Sequence, residues 1–123
     1  MKIKIIIVIS AVCLLTQGCQ SSRKAFLEEY ITVSDEIVRM VDANPTTEGV
    51  KRAQGYLDSK KASLKSKFVA GSKEGSDKDM EEKFRVIVPS YLGRVAKLSE
   101  KHPNVKNELD NLTKDFGEFL LKP

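Results

Sequence analysis

Hydrophobic residues recur every three or four positions along most of the chain beyond residue 22, and this spacing is typical of amphipathic helices. Breaks that contain proline or glycine divide the pattern, because these residues interrupt helices. We therefore expect an all-α fold, a small antiparallel bundle of about four helices with short connections. The predicted helices span residues 23–43, 47–69, 77–101 and, after the break at 102–104, the last part of the chain.

The first predicted helix has an apolar face that is wider than a single stripe. Phe26, Val33 and Met40 extend the stripe of Leu27 and Ile37 to about half of the helix circumference. Either two neighbouring helices cover this face, or Phe26, Val33 and Met40 form a docking surface for a partner protein.

The N-terminal segment has the pattern of a secretory signal peptide. Lys2 and Lys4 give it a positive start, and an apolar stretch of eleven residues, 5–15, follows. That stretch is too short to span a bilayer, because a transmembrane helix needs about 20 apolar residues. The apolar part of a signal peptide needs only about 7 to 15 residues. We expect residues 1–18 to direct export and then to be removed.

The sequence Leu15-Thr16-Gln17-Gly18-Cys19 resembles the lipobox of bacterial lipoproteins. Gly18 and Cys19 match the family pattern, whereas Thr16 stands where leucine is usual. The resemblance implies that Cys19 becomes the first residue of the mature protein and carries a diacylglyceryl group on its thiol. In a Gram-negative host, Gln20 resembles the sorting signal for the outer membrane, which implies a domain that faces the periplasm.

This resemblance also implies how the chain is organised. It consists of a lipoprotein signal peptide (1–18), a lipidated cysteine with a short tether (19–22) and a helical domain (23–123). The only other cysteine, Cys13, lies in the signal peptide, so acylation of Cys19 leaves the mature chain without a free thiol and without a disulfide.

The charge of the mature domain is close to neutral. Lys2 and Lys4 leave with the signal peptide, so 19 basic and 17 acidic residues remain and the formal charge is +2. This balance and an address outside the cytoplasm argue against nucleic acid as a partner.

The sequence contains little that points to catalysis. His102 is the only histidine, and it precedes a proline at a helix boundary, where we expect a surface or capping role rather than a general base. The adjacent pairs Glu28-Glu29 and Glu81-Glu82 diverge by about 100° around their helices and are interpreted as solvated. There is no HExxH or CxxC spacing and no nucleophile elbow. We therefore predict a protein that is not an enzyme and that has no cofactor and no metal site.

The second predicted helix carries a cluster of cations, and its local charge is +4. A short tether would hold these cations near the bilayer, where each can contribute about 1 kcal/mol at an anionic surface. The alternative is a solvated helix face that acids of the first helix balance. The candidate residues for contact with an anionic surface are Lys51, Arg52, Lys60, Lys65 and Lys67.

Lys61 lies within the apolar stripe of this helix, between Leu57 and Leu64. Burial of an unpaired ammonium is costly, so its side chain must extend to water, pair with an acid or border a groove. We expect it to extend to water.

These observations favour a lipid-anchored envelope protein whose helical domain mediates protein–protein interaction or assembly at the membrane surface. Lipoproteins that pilot secretins are similar in size, anchor and helical content, and immunity or surface-exclusion lipoproteins belong to the same class of function. The alternative is a small-ligand carrier or an enzyme with a pocket between helices near Lys61, Tyr30 and Tyr91. An enclosed pocket would favour the alternative, whereas a solid core would favour the interaction protein.

Overall fold

The computed structural model describes residues 21–75 and 77–122, and among these residues every regular element is a helix. The all-α prediction is therefore confirmed, with four main helices and one single-turn helix. Two short 3₁₀ segments, Pro103–Val105 and Phe119–Leu121, flank the last main helix. The α-helices are α1 (Ser22–Ala43), α2 (Thr47–Ser72), α3 (Lys78–Ala96), α4 (Leu98–Lys101) and α5 (Lys106–Glu118).

The first three helices begin where a side chain accepts a hydrogen bond from a free backbone N–H of the first turn. Ser21 accepts from the N–H of Lys24, Thr46 from that of Gly49, and Asp77 from that of Met80. Such caps satisfy donors that a helix leaves unpaired at its N-terminus.

Two of the predicted boundaries were wrong. The prediction of one helix over 77–101 fails at Lys97, which separates α3 from α4. Helix α2 continues to Ser72, three residues beyond the predicted end at residue 69. Gly71 is buried in this last part of α2 beside Arg23, and the space there suits glycine because a Cβ on Gly71 would lie 2.8 Å from Cγ of Arg23.

Successive main helices run in opposite directions. The start of α1 lies against the end of α2, where Arg23 Nε donates to the carbonyl of Gly71 at 2.9 Å. Helix α3 runs parallel to α1, because its earlier residue Phe84 stacks on Phe26 and its later residue Arg94 pairs with Asp35 at 3.1 Å. The bundle therefore has the antiparallel, up-and-down arrangement that short connections favour.

The core is built around α1. Its residues Phe26, Tyr30 and Val33 are at most 1% exposed. The ring of Phe26 contacts the rings of Tyr30, Phe68 and Phe84 at centroid distances of 5.4 to 5.5 Å, so α1 joins α2 to α3. Tyr30 stacks on Phe116 of α5 at 4.8 Å, and burial raises the pKa of Tyr30 to about 12.

Helix α3 is the least covered main helix. Val95 is its one fully buried side chain, whereas Phe84 and Ile87 are only partly buried and Val86 is 59% exposed. Pro89 is exposed, so the hydrogen bond that proline removes lies on the solvent side of the helix. The first half of α3 therefore leaves part of its apolar side uncovered.

Candidate functional site

The apolar face of α1 is covered by the other helices. Phe26 and Val33 are 0% exposed, and Met40 is half-buried and packs against the core. The prediction of a docking surface on α1 is therefore wrong for Phe26 and Val33. The physical reason is that α1 is the central helix and touches more than one neighbour, so it needs a wide apolar face for packing alone.

The five candidate cations of α2 do not form one patch. Lys51 and Arg52 are exposed near the start of α2, and Arg52 lies 3.9 Å from Glu48. Lys67 lies near the other end, where it pairs with Glu29 of α1 at 3.3 Å. Acids of α1 thus balance part of the charge, as the alternative interpretation predicted. The other two cations also have partners: Lys60 lies over the ring of Tyr56, and Lys65 donates to the backbone carbonyl of Lys122.

A line of small exposed residues runs between the cations on the solvent side of α2. At about 100° per residue these side chains share one face, with Lys51 and Lys65 along one border and Lys60 and Lys67 along the other. We call this surface the outer face of α2. Sequence reasoning missed it, although the spacing of three and four among small residues was present. The small residues are Gly55, Ser59, Ala62, Ser66 and Ala70.

The outer face of α2 has a shallow depression toward the end of the helix. Ala62, Ser66 and Ala70 line its floor, and Lys65 and Lys73 lie at its border. Val69 is also part of this depression and is 44% exposed, which makes it one of the largest exposed apolar side chains described.

Lys61 forms an ion pair with α5 instead of extending to water by itself. Its ammonium lies 2.6 Å from Asp115 and 2.9 Å from Asp58. Gln54 also donates to Asp115, at 2.7 Å. Burial opposes the charge on Asp115, but the hydrogen bonds from Lys61 and Gln54 outweigh it and lower the pKa of that carboxyl. The expectation for Lys61 was therefore wrong, and the pairing alternative is correct.

His102 has a structural role at the C-terminal end of α1. It is the C-terminal cap residue of α4, and its Nε2 lies 2.8 Å from Oδ1 of Asp42. Lys101 pairs with the same carboxylate at 3.0 Å. The hydrogen bond with His102, and to a smaller extent those with Lys101, lower the pKa of Asp42. This cluster joins the segment after α3 to the end of α1.

The residues proposed to border a ligand pocket are each engaged in separate contacts. Tyr30 is 1% exposed and stacks on Phe116, so its ring fills core space. Lys61 is paired with acids, and Tyr91 has the guanidinium of Arg94 over its ring at 5.0 Å. None of these contacts favours the carrier or enzyme alternative.

The start of α1 and the end of α2 hold each other through reciprocal hydrogen bonds. The backbone N–H of Ser22 donates to Oε2 of Glu74 at 2.7 Å. In return, the Arg23 guanidinium donates to the carbonyl of Gly71 at 2.9 Å and to that of Glu74 at 3.3 Å. Glu74 satisfies an unpaired donor at a helix N-terminus, and Arg23 satisfies carbonyls at a helix C-terminus. The folded domain is therefore fixed from Ser22 onward. Cys19 and residues 1–18 lie outside the described residues.

Two further searches concern only the described ranges 21–75 and 77–122. Within them, no three His, Cys, Asp or Glu side chains come together in a way that could hold a metal ion. No helix in the same ranges is both long enough and apolar enough to cross a bilayer.

Comparisons with protein-family models, with curated proteins and with solved structures find no match to this chain. The geometry thus defines the class of the protein, a small all-α bundle, and its function must be argued from its own residues.

Proposed function

We propose that this chain is a lipid-anchored envelope protein, not an enzyme, whose helical domain binds a partner protein at the membrane surface. The observation that carries the proposal is the position of the lipobox-like sequence 15–19, which ends three residues before the folded start of α1 at Ser22. A lipid on Cys19 would hold the start of the domain within about 10 Å of its attachment point, since three residues span no more than that. In a Gram-negative host the proposed location is the outer membrane, facing the periplasm.

The proposed partner-binding surface is the outer face of α2. Its small side chains allow another helix to approach closely, and its borders carry four lysines against one acid, Asp58. A helix that lies along such a face gains affinity from apolar contact at the centre and specificity from complementary charges at the rim. The partner that these features fit is an amphipathic helix with acidic residues on both sides of a small apolar stripe.

The geometry favours a protein over an anionic membrane as the partner of these cations. Lys51 and Lys73 lie at opposite ends of α2, about 33 Å apart at 1.5 Å per residue. Charges in physiological salt interact over only about 8 Å. When the bundle stands upright on an anchor at one end, only one of these two cations can therefore lie close to the bilayer.

Site-specific photo-cross-linking in cells tests this proposal. A photoreactive amino acid at Ala62, on the outer face, should give a discrete protein adduct, whereas one at the exposed Ser90 of α3 should not. The double reversal Lys65→Glu with Lys73→Glu should abolish the adduct because it reverses the charge of the two lysines that line the depression. Reversal of the exposed Lys114 on α5 is the matched control and should leave the adduct intact.

Equal labelling from Ala62 and Ser90, or an adduct that is insensitive to the reversal at Lys65 and Lys73, would contradict the proposed surface. Adducts to phospholipid from Ala62 would support the membrane interpretation instead. The identity of a specific partner would separate a secretin-piloting role from an immunity or exclusion role, since these differ in what the bundle binds.

A further inference from the structure

An apolar cleft lies beside the start of α1, between the end of α2 and the first half of α3. Its volume is about 280 Å³, and its walls include the rings of Phe68 and Phe84 and the backbone of Gly71. Both rings are only partly buried, although they pack against the core. Its polar lining residues, which we call the rim, are Arg23, Ser72, Glu81 and Arg85. Aromatic surface is thus exposed in the cleft because the other helices do not fully cover the first half of α3.

Arg23 is held in place beside this cleft by its own hydrogen bonds. Its Nε and Nη2 donate to the carbonyls of Gly71 and Glu74, but its Nη1 is buried and has no hydrogen-bond partner among the described residues. A buried donor without a partner is costly, and such groups usually have an acceptor from protein, water or ligand. Because Nη1 has almost no accessible surface, the exposed rings define what the cleft can hold, and they fit an apolar body.

We infer that the cleft receives one acyl chain of the lipid on Cys19. The inference rests on the proposed lipid anchor, and its argument is the distance along the chain. Cys19 precedes Ser22 by three residues, and the N–H of Ser22 is fixed 2.7 Å from Glu74, next to Arg23 of the rim. Three residues extend at most about 10 Å, so the acyl esters must begin close to the mouth of the cleft.

The hydrocarbon of the lipid matches the apolar wall of the cleft. One acyl chain would cover the exposed surface of Phe68 and Phe84, and the ester groups would stay at the mouth, near Arg23. The occupant is attached to the same chain, so its binding to the cleft is intramolecular and its effective concentration is set by the short tether. In a triacylated lipoprotein the two remaining chains still hold the protein in the bilayer, since stable anchoring needs two such signals.

The test uses the full mature lipoprotein with a diazirine-bearing fatty acid incorporated metabolically into its anchor. After irradiation in membranes, mass spectrometry of the digested protein should find the probe attached to the peptides that contain Phe68 and Phe84. Phe84→Glu should eliminate this intramolecular cross-link because it puts a carboxylate in the apolar wall. Val86→Glu, on the exposed side of the same helix, is the matched control and should retain it.

A second variant keeps the test interpretable if Phe84→Glu does not fold. Ser72→Trp fills the cleft from its exposed rim without removal of a core side chain, and it should also eliminate the cross-link. The inference is overturned if the probe reacts only with bilayer lipids, or if both variants keep the wild-type cross-link, while intact mass shows an acylated Cys19. An unmodified Cys19 would instead overturn the proposed anchor itself, so the two failures are distinguishable.

Discussion

The two glycines of α2 should respond in opposite ways to the same substitution. A Cβ on Gly49 would lie 1.8 Å from the backbone oxygen of Asn44, whereas carbon and oxygen normally approach no closer than about 3.3 Å. That oxygen accepts a hydrogen bond from the N–H of Thr46 at 2.8 Å, so it cannot move without disturbing the turn between α1 and α2. Gly55 is exposed, and a Cβ there meets nothing within 4 Å.

Gly49→Ala should therefore lower the free energy of unfolding by about 1 to 3 kcal/mol, the usual cost of overpacking. Gly55→Ala should raise it by about 0.5 to 1 kcal/mol, because alanine is the better residue in an exposed helix interior. For a domain of this size, 1 kcal/mol corresponds to about 4–8 °C in the melting temperature. Thermal and urea unfolding of the mature chain without Cys19, followed by circular dichroism, measure both changes. A Gly49→Ala variant as stable as the wild type would refute the close approach.

Three further outcomes follow from the core, the anchor and the Lys61 pair. Phe26→Ala should lower the free energy of unfolding by about 3 to 5 kcal/mol without a specific effect on partner capture, whereas Val86→Ala at an exposed site should change it by less than about 0.5 kcal/mol. Mass spectrometry of the intact protein should show loss of residues 1–18 and a diacylglyceryl group on Cys19. An unmodified thiol on a protein that is not bound to membranes would refute the proposed lipid anchor. Because the folded-state pKa of Asp115 is lowered, its contribution to stability is present above the unfolded pKa of about 3.9 and is lost as pH falls through the folded value. Asp115→Asn should thus be less stable than the wild type at pH 7, and urea unfolding should show this difference shrinking as pH falls below about 5; a constant difference would contradict it.

The fold could be predicted from the sequence because its main signals are local. Apolar spacing, capping residues and breaks at Pro45 and Pro103 act within a few residues of themselves, and they located the four main helices. The sequence also indicated how wide the apolar face of α1 is. Whether that face is packed or exposed, however, depends on which helices lie against it. Periodicity carries no information about neighbours, so the choice between burial of Phe26 and docking required the structure.

Several contacts between the helices join residues that are far apart in sequence. Lys61 and Asp115 are 54 positions apart, and Arg23 and Gly71 are 48 apart, so no local pattern pairs them. The same limit explains the glycines of α2, which look equivalent in sequence but differ because Asn44 packs only against Gly49. The outer face of α2 was accessible to sequence reasoning, since its small residues share one helical spacing.

The reciprocal hydrogen bonds between Ser22, Arg23, Gly71 and Glu74 would also determine how far a domain anchored at Cys19 reaches from the membrane. They fix the fold from Ser22 onward, and the three residues from Cys19 to Ser22 span at most about 10 Å. Helix α1 adds about 33 Å at 1.5 Å per residue. Anchored as proposed, the bundle works within a layer about 40 Å deep, and a partner must present its acidic helix inside that layer. A partner held farther from the bilayer would have to cross that gap itself, so under the proposed anchorage the length of one helix would select which proteins the domain can meet.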